Sequence, residues 1–182
     1  MLSKTFLISA FLIFANMVYA QRNSAWAIPV ESKSVNNLYM VDIGVYRCAQ
    51  PDKIAFAELE IIGICEVINL RYLRNDKRYV KETGLKVHHV KMLAGKSDFD
   101  KLVKTLRIVK NKNGAIVIHC KHGADRTGLV LALYRIVFQD WSKQDAIEEL
   151  ENGNYNFHPI YKNIPEFIKN VDMELLKRAV MQ

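Results

Sequence analysis

AIVIHCKHGADRTG, residues 115–128, is the stretch that decides the fold. Residues 115–118 are apolar and mostly β-branched and follow the turn-forming segment 111–114, which predicts an interior parallel strand. Beyond Gly128, apolar residues recur at 129, 132, 133, 136 and 137, the spacing of one helix face. A loop between such a strand and helix directs backbone N–H groups at an anion, and the helix N-terminus adds partial positive charge. The stretch therefore predicts a phosphate-binding loop.

The side chains of this loop suit the cleavage of a phosphate monoester. Cys120 is the predicted nucleophile, because a helix N-terminus and nearby cations favour the thiolate. Arg126 offers a planar fork for two phosphate oxygens, and Thr127 is expected to donate its hydroxyl to the sulfur when a phosphocysteine is hydrolysed. His119 is expected to point into the structure and order the loop. The predicted phosphate-binding residues are those of the loop itself: Lys121, His122, Gly123, Ala124, Asp125 and Arg126.

A buried cysteine more often packs as a small hydrophobe, so Cys120 alone would indicate little. Residues 119–128 together, however, resemble the signature loop of the cysteine-dependent protein tyrosine and dual-specificity phosphatases. Residues 45–51 and 63–71 resemble the atypical dual-specificity branch of plants, fungi and bacteria. This resemblance spans about residues 38–170 and implies phosphatase chemistry without a metal or organic cofactor. It leaves the substrate open, since such enzymes act on phosphotyrosine, phosphoserine or phosphothreonine, and inositol phosphates or pyrophosphates.

Strands and helices alternate along the chain, which predicts a single-domain α/β fold of tyrosine-phosphatase type, with a mainly parallel sheet flanked by helices. The phosphatase domain is expected over residues 37–182, after a flexible lead at 21–36. Two short edge strands are predicted at 39–41 and 45–47, with interior strands at 67–70 and 115–118 and a further strand at 87–90. Five further helices are predicted. One follows Pro51, a short one ends at Gly84, one is capped by Ser97 with Asp100 at the third helical position, one begins at Ser142, and a single helix comes last in the chain.

Residues 1–20 are typical of a signal peptide, with Lys4, an apolar stretch and small residues before a cut at Ala20-Gln21. A membrane anchor is the alternative, but the apolar run is shorter than the ~20 residues a spanning helix needs. Cleavage implies export, to the periplasm or the medium, and lowers the formal charge from +7 to +6. A basic chain suits an anionic substrate. The lysines are dispersed and form no nucleic-acid motif, so nucleic acid is not an expected partner. The sequence leaves the oligomeric state open.

Three cysteines are an unusual count for an exported chain. If Cys120 stays a thiolate, Cys48 and Cys65 either pair or remain as two buried thiols, and the sequence does not decide between these. An oxidising compartment would also expose Cys120 to oxidation.

A proton donor for the leaving oxygen is harder to place. In the family that the chain resembles, an aspartate precedes the cysteine by some thirty residues, but segment 90–96 contains none. Asp98 is the nearest candidate, although helix capping would also explain it. Asp125 is the second candidate, with bracing of the loop as its alternative role.

Arg47 and Arg71 are candidate substrate contacts, or else structural partners of Asp42 and Asp76. The neighbouring His88 and His89 would point to opposite faces of a strand, so no metal site is expected there.

Taken together, the residues predict a cysteine-based phosphomonoesterase of the tyrosine or dual-specificity type that works through a phosphocysteine intermediate. Aryl phosphates of the phosphotyrosine type are the preferred substrate. Inositol polyphosphates or pyrophosphates are the alternative, because Lys121 and His122 add positive charge to the loop. A phosphate-binding module with weak catalysis is a third, more remote interpretation.

Overall fold

Six strands form one sheet in the order β1-β2-β3-β6-β4-β5. The computed structural model describes residues 22–182, so the predicted signal peptide and its cleavage site lie outside the described residues. The strands are β1 (Ile28–Pro29), β2 (Tyr39–Asp42), β3 (Val45–Cys48), β4 (Ile64–Arg71), β5 (Lys86–Met92) and β6 (Ala115–His119). The helices are α1 (Lys53–Ile61), α2 (Phe99–Lys110), α3 (Asp125–Gln139), α4 (Lys143–Asn152), α5 (Asn163–Asn170) and α6 (Met173–Met181), with a 3-10 turn at Pro159–Tyr161.

The four strands β3, β6, β4 and β5 are parallel, whereas β1 and β2 join antiparallel. This mainly parallel sheet confirms the predicted fold class. β3 was expected at an edge but is interior, because β2 and β6 pair with its two sides. The carboxyl ends of β3, β4, β5 and β6 meet at one edge of the sheet, where open α/β sheets gather ligand-binding groups.

Helices cover both faces of the sheet. α1 packs with the segment before β2 on one face, around Phe56 and Leu59. The other five helices lie on the opposite face, where α2, α4, α5 and α6 pack around α3, which is buried along most of its length. All five apolar positions predicted for its inner face are buried: Leu129, Ala132, Leu133, Ile136 and Val137. The buried face of α3 fixes where this helix begins, and therefore where the preceding loop lies.

Residues 22–36, which belong to the predicted flexible lead at 21–36, make specific contacts with the rest of the domain. Arg22 donates to the carbonyl of Gly153 (2.5 Å) and to the hydroxyl of Tyr155 (2.9 Å). The buried Ala27 donates its N–H to Glu149 Oε1 at 2.7 Å, and Ile28–Pro29 then pairs with β2. The segment is ordered because it supplies donors to buried acceptors and covers the edge of the sheet.

Three local predictions also differ from the structure. Asp98, not Ser97, caps α2, since its carboxylate accepts the N–H of Lys101. Residues 77–84 form turns instead of a helix, and the predicted last helix divides at Asp172, which caps α6. Among the described residues, no helix combines the length and apolar character needed to cross a membrane.

Candidate active site

The signature loop, residues 120–126, connects β6 to α3 at the carboxyl edge of the sheet. Cys120 directly follows β6 and is 1% exposed. Gly123 has a φ of +71°, and a Cβ at this position would lie 2.6 Å from the carbonyl carbon of Cys48 and 2.8 Å from the nitrogen of Ala49. Only glycine fits there, because both the left-handed backbone and the close approach to β3 exclude a side chain. The loop is thereby curled tightly around the start of α3.

Two buried donors of the site have no acceptor within the described part of the chain: Arg126 Nε and the Thr127 hydroxyl. The other end of the Arg126 guanidinium donates to the carbonyl of Met92 at 3.3 Å. The predicted hydrogen bond from Thr127 to the sulfur of Cys120 is not formed among these residues. Buried donors without partners are costly, and an oxyanion held in the loop would satisfy them.

His119 points inward, as predicted, and is fully buried. Its Nε2 hydrogen-bonds to Asp76 Oδ2 at 2.9 Å, and its Nδ1 faces the carbonyl oxygen of Cys120 at 3.2 Å. Gln50 donates to the other oxygen of Asp76 at 2.9 Å. Burial raises the pKa of Asp76, but the hydrogen bonds from His119 and Gln50 and the charge of His119 outweigh it, so the pKa lies below its ordinary value. Sequence reasoning missed Asp76 as the partner of His119.

Arg47 is not a substrate contact, which corrects the prediction. Its side chain is buried, with 2% of the residue exposed, and lies 3.5 Å from the ring centroid of Tyr155. It donates to the carbonyl of Gly123 at 2.7 Å, from behind the signature loop. It does not pair with Asp42, whose carboxylate accepts from Tyr134 and Gln139. Arg47 therefore braces the loop from the protein interior.

Arg71 lies at the carboxyl end of β4 and remains partly exposed, so it is still a candidate substrate contact. It donates to Gln50 Oε1 at 3.2 Å rather than forming an ion pair with Asp76. Burial and the positive charges of Arg74 and Arg126 lower the pKa of Arg71. These charges show that Arg71 faces the same basic region as the signature loop.

The rim of the loop carries two more basic residues, Lys121 and His122, whose side chains are exposed. Their backbone is fixed, since the carbonyl of Lys121 accepts from the Gln50 N–H (3.1 Å) and that of His122 from the Asn37 amide (2.9 Å). Burial and the charges of Lys121 and His158 lower the pKa of His122. The site is therefore a small, electropositive cradle on a rigid frame.

A family model described as "Tyrosine phosphatase family" matches residues 34–181. The chain belongs to this family. It is a cysteine-based phosphatase of the tyrosine and dual-specificity type, and its fold and chemistry confirm the resemblance seen in the sequence.

The phosphatase is similar to the dual specificity protein phosphatase TpbA of Pseudomonas aeruginosa, with 30% identity over 164 residues, 88% of this chain and 73% of TpbA. A crystal structure of TpbA superposes with a TM-score of 0.79 at 29% identity, covering 88% of this chain and 99% of that one. The inositol diphosphatase SIW14 of Saccharomyces cerevisiae is 29% identical over 144 residues, 74% of this chain but 50% of SIW14. The catalytic core of SIW14 superposes with a TM-score of 0.69 at 25% identity, covering 83% of this chain and 94% of that core.

Asp98, the first candidate for the phosphatase's proton donor, is engaged elsewhere. It caps α2 and forms an ion pair with Lys101 at 3.0 Å. The hydrogen bonds from Lys101 lower the pKa of Asp98, which favours the carboxylate over the protonated acid that donation requires. Capping therefore accounts for Asp98.

Asp125, the second candidate, is 5% exposed and accepts two hydrogen bonds from His158. Its role as a brace within the loop fits this geometry. His158 was not identified from the sequence. His122, Asp125 and His158 offer ligand atoms within 4.8 Å of one another, the one such group of metal-ligand type in residues 22–182. The neighbouring pair His88 and His89 contacts separate groups, the carboxylate of Glu66 and the carbonyl of Arg71.

The two remaining cysteines lie at opposite ends of the sheet, as free thiols in the described residues. In the register of β3 and β6, Cys48 lies opposite His119 at the carboxyl end of the strands. Cys65 follows Ile64, which lies opposite Ala115 at the other end of β6. Four residues of β6 separate these levels, about 13 Å at the usual rise per residue. A disulfide would require the sheet to open. Cys48 is buried, and burial raises the pKa of its thiol. Cys65 is exposed, contrary to the idea of two buried thiols.

Proposed function

We propose that this phosphatase hydrolyses aryl phosphates of the phosphotyrosine type, with Cys120 as the nucleophile and the signature loop as the phosphate cradle. The placement of the buried Cys120 at the end of β6, in the loop that leads to the unpaired buried donors of Arg126 and Thr127 at the start of α3, carries the proposal. Donors that are fixed in place before the substrate binds stabilise the developing oxyanions without reorganisation. The N–H groups of residues 121–126 complete the cradle.

The reaction runs in two displacements on phosphorus. The Cys120 thiolate attacks, the ester P–O bond breaks, and a phosphocysteine forms while Arg126 holds two equatorial oxygens. Water then attacks the phosphocysteine, the P–S bond breaks, and phosphate leaves. Thr127 donates its hydroxyl to the sulfur in this second step. No residue in this sequence of steps needs a metal, so activity should persist in EDTA.

The surroundings of the cradle support a protein substrate. Tyr72 and Leu73 follow β4 and Leu93 follows β5, so all three lie at the carboxyl edge of the sheet, the edge of Cys120. Their apolar side chains are exposed, with Leu73 at 89%. Exposed apolar groups beside a basic cleft suit a phosphorylated side chain on a protein surface. A cysteine-to-serine variant of TpbA, 28% identical to this chain, has been solved in complex with phosphotyrosine.

Inositol polyphosphates or pyrophosphates are the second candidate substrates. Lys121, Arg71 and Arg74 supply positive charge beyond what a single phosphate requires. A pyrophosphate, like a phenol, leaves more readily than an alcohol, which suits a site without the family's usual aspartate. The relative SIW14 is named an inositol diphosphatase.

One comparison separates these candidates. We would measure kcat/KM for p-nitrophenyl phosphate, a phosphotyrosine peptide, inositol hexakisphosphate and an inositol pyrophosphate, with Cys120→Ser as the control. Preference for the peptide supports the proposal, and preference for an inositol substrate reverses it. Binding of phosphate ligands without turnover by the unaltered chain would instead indicate a binding module.

We also propose that the phosphatase is exported after cleavage between Ala20 and Gln21. The apolar stretch and the small residues before the cut support this. N-terminal sequencing of protein recovered from the periplasm and the medium of an expressing bacterium tests the proposal. Recovery in the cytoplasm with residues 1–20 intact would contradict it.

A further inference from the structure

Phosphotyrosine cleavage needs a proton at the phenolic oxygen, because free phenol has a pKa near ~10 and its anion leaves slowly. The loop after β5, residues 93–97, contains no carboxylate, and Asp98 caps α2. We infer that His158, held by Asp125, donates this proton. The inference rests on the proposed function and adds a catalytic residue to it.

Asp125 fixes the orientation of the His158 ring. The backbone N–H of His158 donates to Asp125 Oδ1 at 3.0 Å, and ring Nδ1 lies 2.9 and 3.0 Å from the two carboxylate oxygens. The carboxylate is buried at the first residue of α3, immediately before Arg126. A carboxylate on Nδ1 sets the tautomer and leaves Nε2 to exchange protons. Nε2 has no hydrogen-bond partner in the described residues, and the side chain is 42% exposed.

The position of His158 is next to the cradle. Its ring lies between His122 of the signature loop, 5.0 Å away by centroids, and Tyr161, 6.3 Å away. Tyr161 packs on Gly95, and the amide of Asn163 donates to the Gly95 carbonyl at 2.6 Å. His158 therefore stands where the signature loop meets the loop after β5.

A contact of Arg126 shows where the loop after β5 meets the cradle. Its guanidinium donates to the carbonyl of Met92, the last residue before the loop at 93–97. His158 thus lies on the Arg126 side, next to the loop in which the family's aspartate was sought.

The charged groups around His158 come from three elements. Asp125 belongs to α3, Lys121 and His122 to the signature loop, and Tyr161 to the 3-10 turn, with Arg126 one residue beyond Asp125. His122, Asp125 and His158 have the atoms to bind a divalent cation. The cations Lys121 and Arg126 beside them oppose such an ion and favour an anion, which supports proton transfer over metal binding.

The chemistry balances over the two steps. As the thiolate bonds to phosphorus and the ester P–O bond breaks, Nε2–H of the imidazolium gives its proton to the leaving oxygen. The neutral ring then takes a proton from the attacking water as the P–S bond breaks. The imidazolium and the thiolate are both restored, so no further reactant is needed.

The test compares a poor with a good leaving group. Phenyl phosphate needs the proton, whereas 6,8-difluoro-4-methylumbelliferyl phosphate, with its acidic phenol, depends on it far less. We expect His158→Gln to lower kcat/KM for phenyl phosphate about 100-fold relative to the fluorinated ester, because kcat/KM reports the first displacement, whereas the base role of His158 in the second step lowers kcat for both esters alike. Asp125→Asn should shift the ratio in the same direction by less, because an amide still accepts from Nδ1.

His88→Gln is the matched control, since His88 also pairs with a carboxylate, Glu66 at 2.6 Å, but from the other end of the sheet. In His88→Gln, the ratio of activity on phenyl phosphate to activity on the fluorinated ester should equal that of the unaltered enzyme. Equal losses of kcat/KM on both esters in His158→Gln would show a structural role and overturn the inference, as would no loss of kcat/KM on either. Activity abolished by EDTA and restored by zinc would overturn it in favour of a metal site. An unaltered chain inactive on both esters would instead refute the proposed function. If His158→Gln does not fold, as judged by thermal unfolding, Asp125→Asn decides by the same ratio.

Discussion

Replacing Gly123 by alanine tests the curled loop directly. Gly123 has a φ of +71°, and the new Cβ would stand 2.6 Å from the Cys48 carbonyl carbon and closer still to its oxygen. An ordinary contact begins at 3.4 Å, so the loop or β3 must move by about 1 Å. Because the neighbouring atoms are backbone, a side-chain rotation does not relieve the contact.

The structure sets the expected magnitude. The left-handed backbone costs an alanine about 1–2 kcal/mol, and overpacking adds about 1–3 kcal/mol. We therefore expect the free energy of unfolding to fall by about 2–5 kcal/mol. A shift of this size moves the N–H groups that face the phosphate, and a 1 Å misplacement costs about 100-fold in rate. The activity loss should thus be large even where the variant remains folded.

Gly63→Ala is the control for the backbone effect. Gly63 has a φ of +94°, precedes β4 at the far end of the sheet, and has no described atom within 4 Å of the place that an alanine methyl would take. It should lose only about 1–2 kcal/mol and retain activity. Urea unfolding and kcat/KM for p-nitrophenyl phosphate measure both variants. If Gly123→Ala keeps its activity, or is no less stable than Gly63→Ala, the described loop geometry is incorrect.

The buried partners of the site give three more expectations. Asp76→Asn should reduce the loss of unfolding free energy that the protein shows as the pH is lowered. The pKa of Asp76 is lower in the folded than in the unfolded chain, so ionised Asp76 stabilises the fold fully above the unfolded pKa of about 3.9. This stabilisation is lost as the pH falls through the folded pKa. Urea unfolding between neutral and acid pH checks this, and parallel curves for both proteins would contradict it. Arg47→Met should cost about 2–4 kcal/mol by removing the buried donor, and an unchanged melting temperature would refute its role. A maleimide should label Cys65 in the native protein and Cys48 only after unfolding; a bridged mass under non-reducing conditions would disprove two separate thiols.

The sequence was sufficient wherever the information was local. β6, the signature loop and α3 occupy consecutive residues, and each carries its own pattern: a β-branched run, a glycine and a five-position helical face. The mainly parallel sheet then followed from alternation, because parallel strands need helical crossovers. The strands β2 and β3 were also predicted, but not that β3 would lie in the sheet interior.

Local patterns failed where two polar residues competed or where the partner was distant. Ser97 and Asp98 are both good helix caps, and sequence alone does not rank neighbours. Arg22 contacts Gly153, which is 131 positions away in the sequence. The contacts of the N-terminal segment could therefore not be predicted from the residues near it. No periodicity records such a contact.

The partners of the site are distant in the same way. Asp76 meets His119 across 43 positions, Arg47 meets Gly123 across 76, and His158 meets Asp125 across 33. Each residue has several plausible partners by charge alone, so only the fold selects among them. Arg47 was left open between substrate contact and pairing with Asp42 for this reason, since an arginine near a phosphate loop fits either role.

Two of these contacts hold the signature loop itself, at Gly123 and Asp125, and the third holds His119 just before it. The 45–51 stretch supplies Arg47 against the carbonyl of Gly123 and Gln50 against Asp76. The 63–71 stretch contributes β4, which pairs with β6 and carries Arg71 to the mouth of the site. A phosphate cradle works only if its N–H groups are fixed before substrate arrives. The 45–51 stretch therefore supports catalysis by positioning the loop: loss of Arg47 should lower kcat through misplaced donors, while the loss of Arg71, at the mouth, should chiefly raise KM.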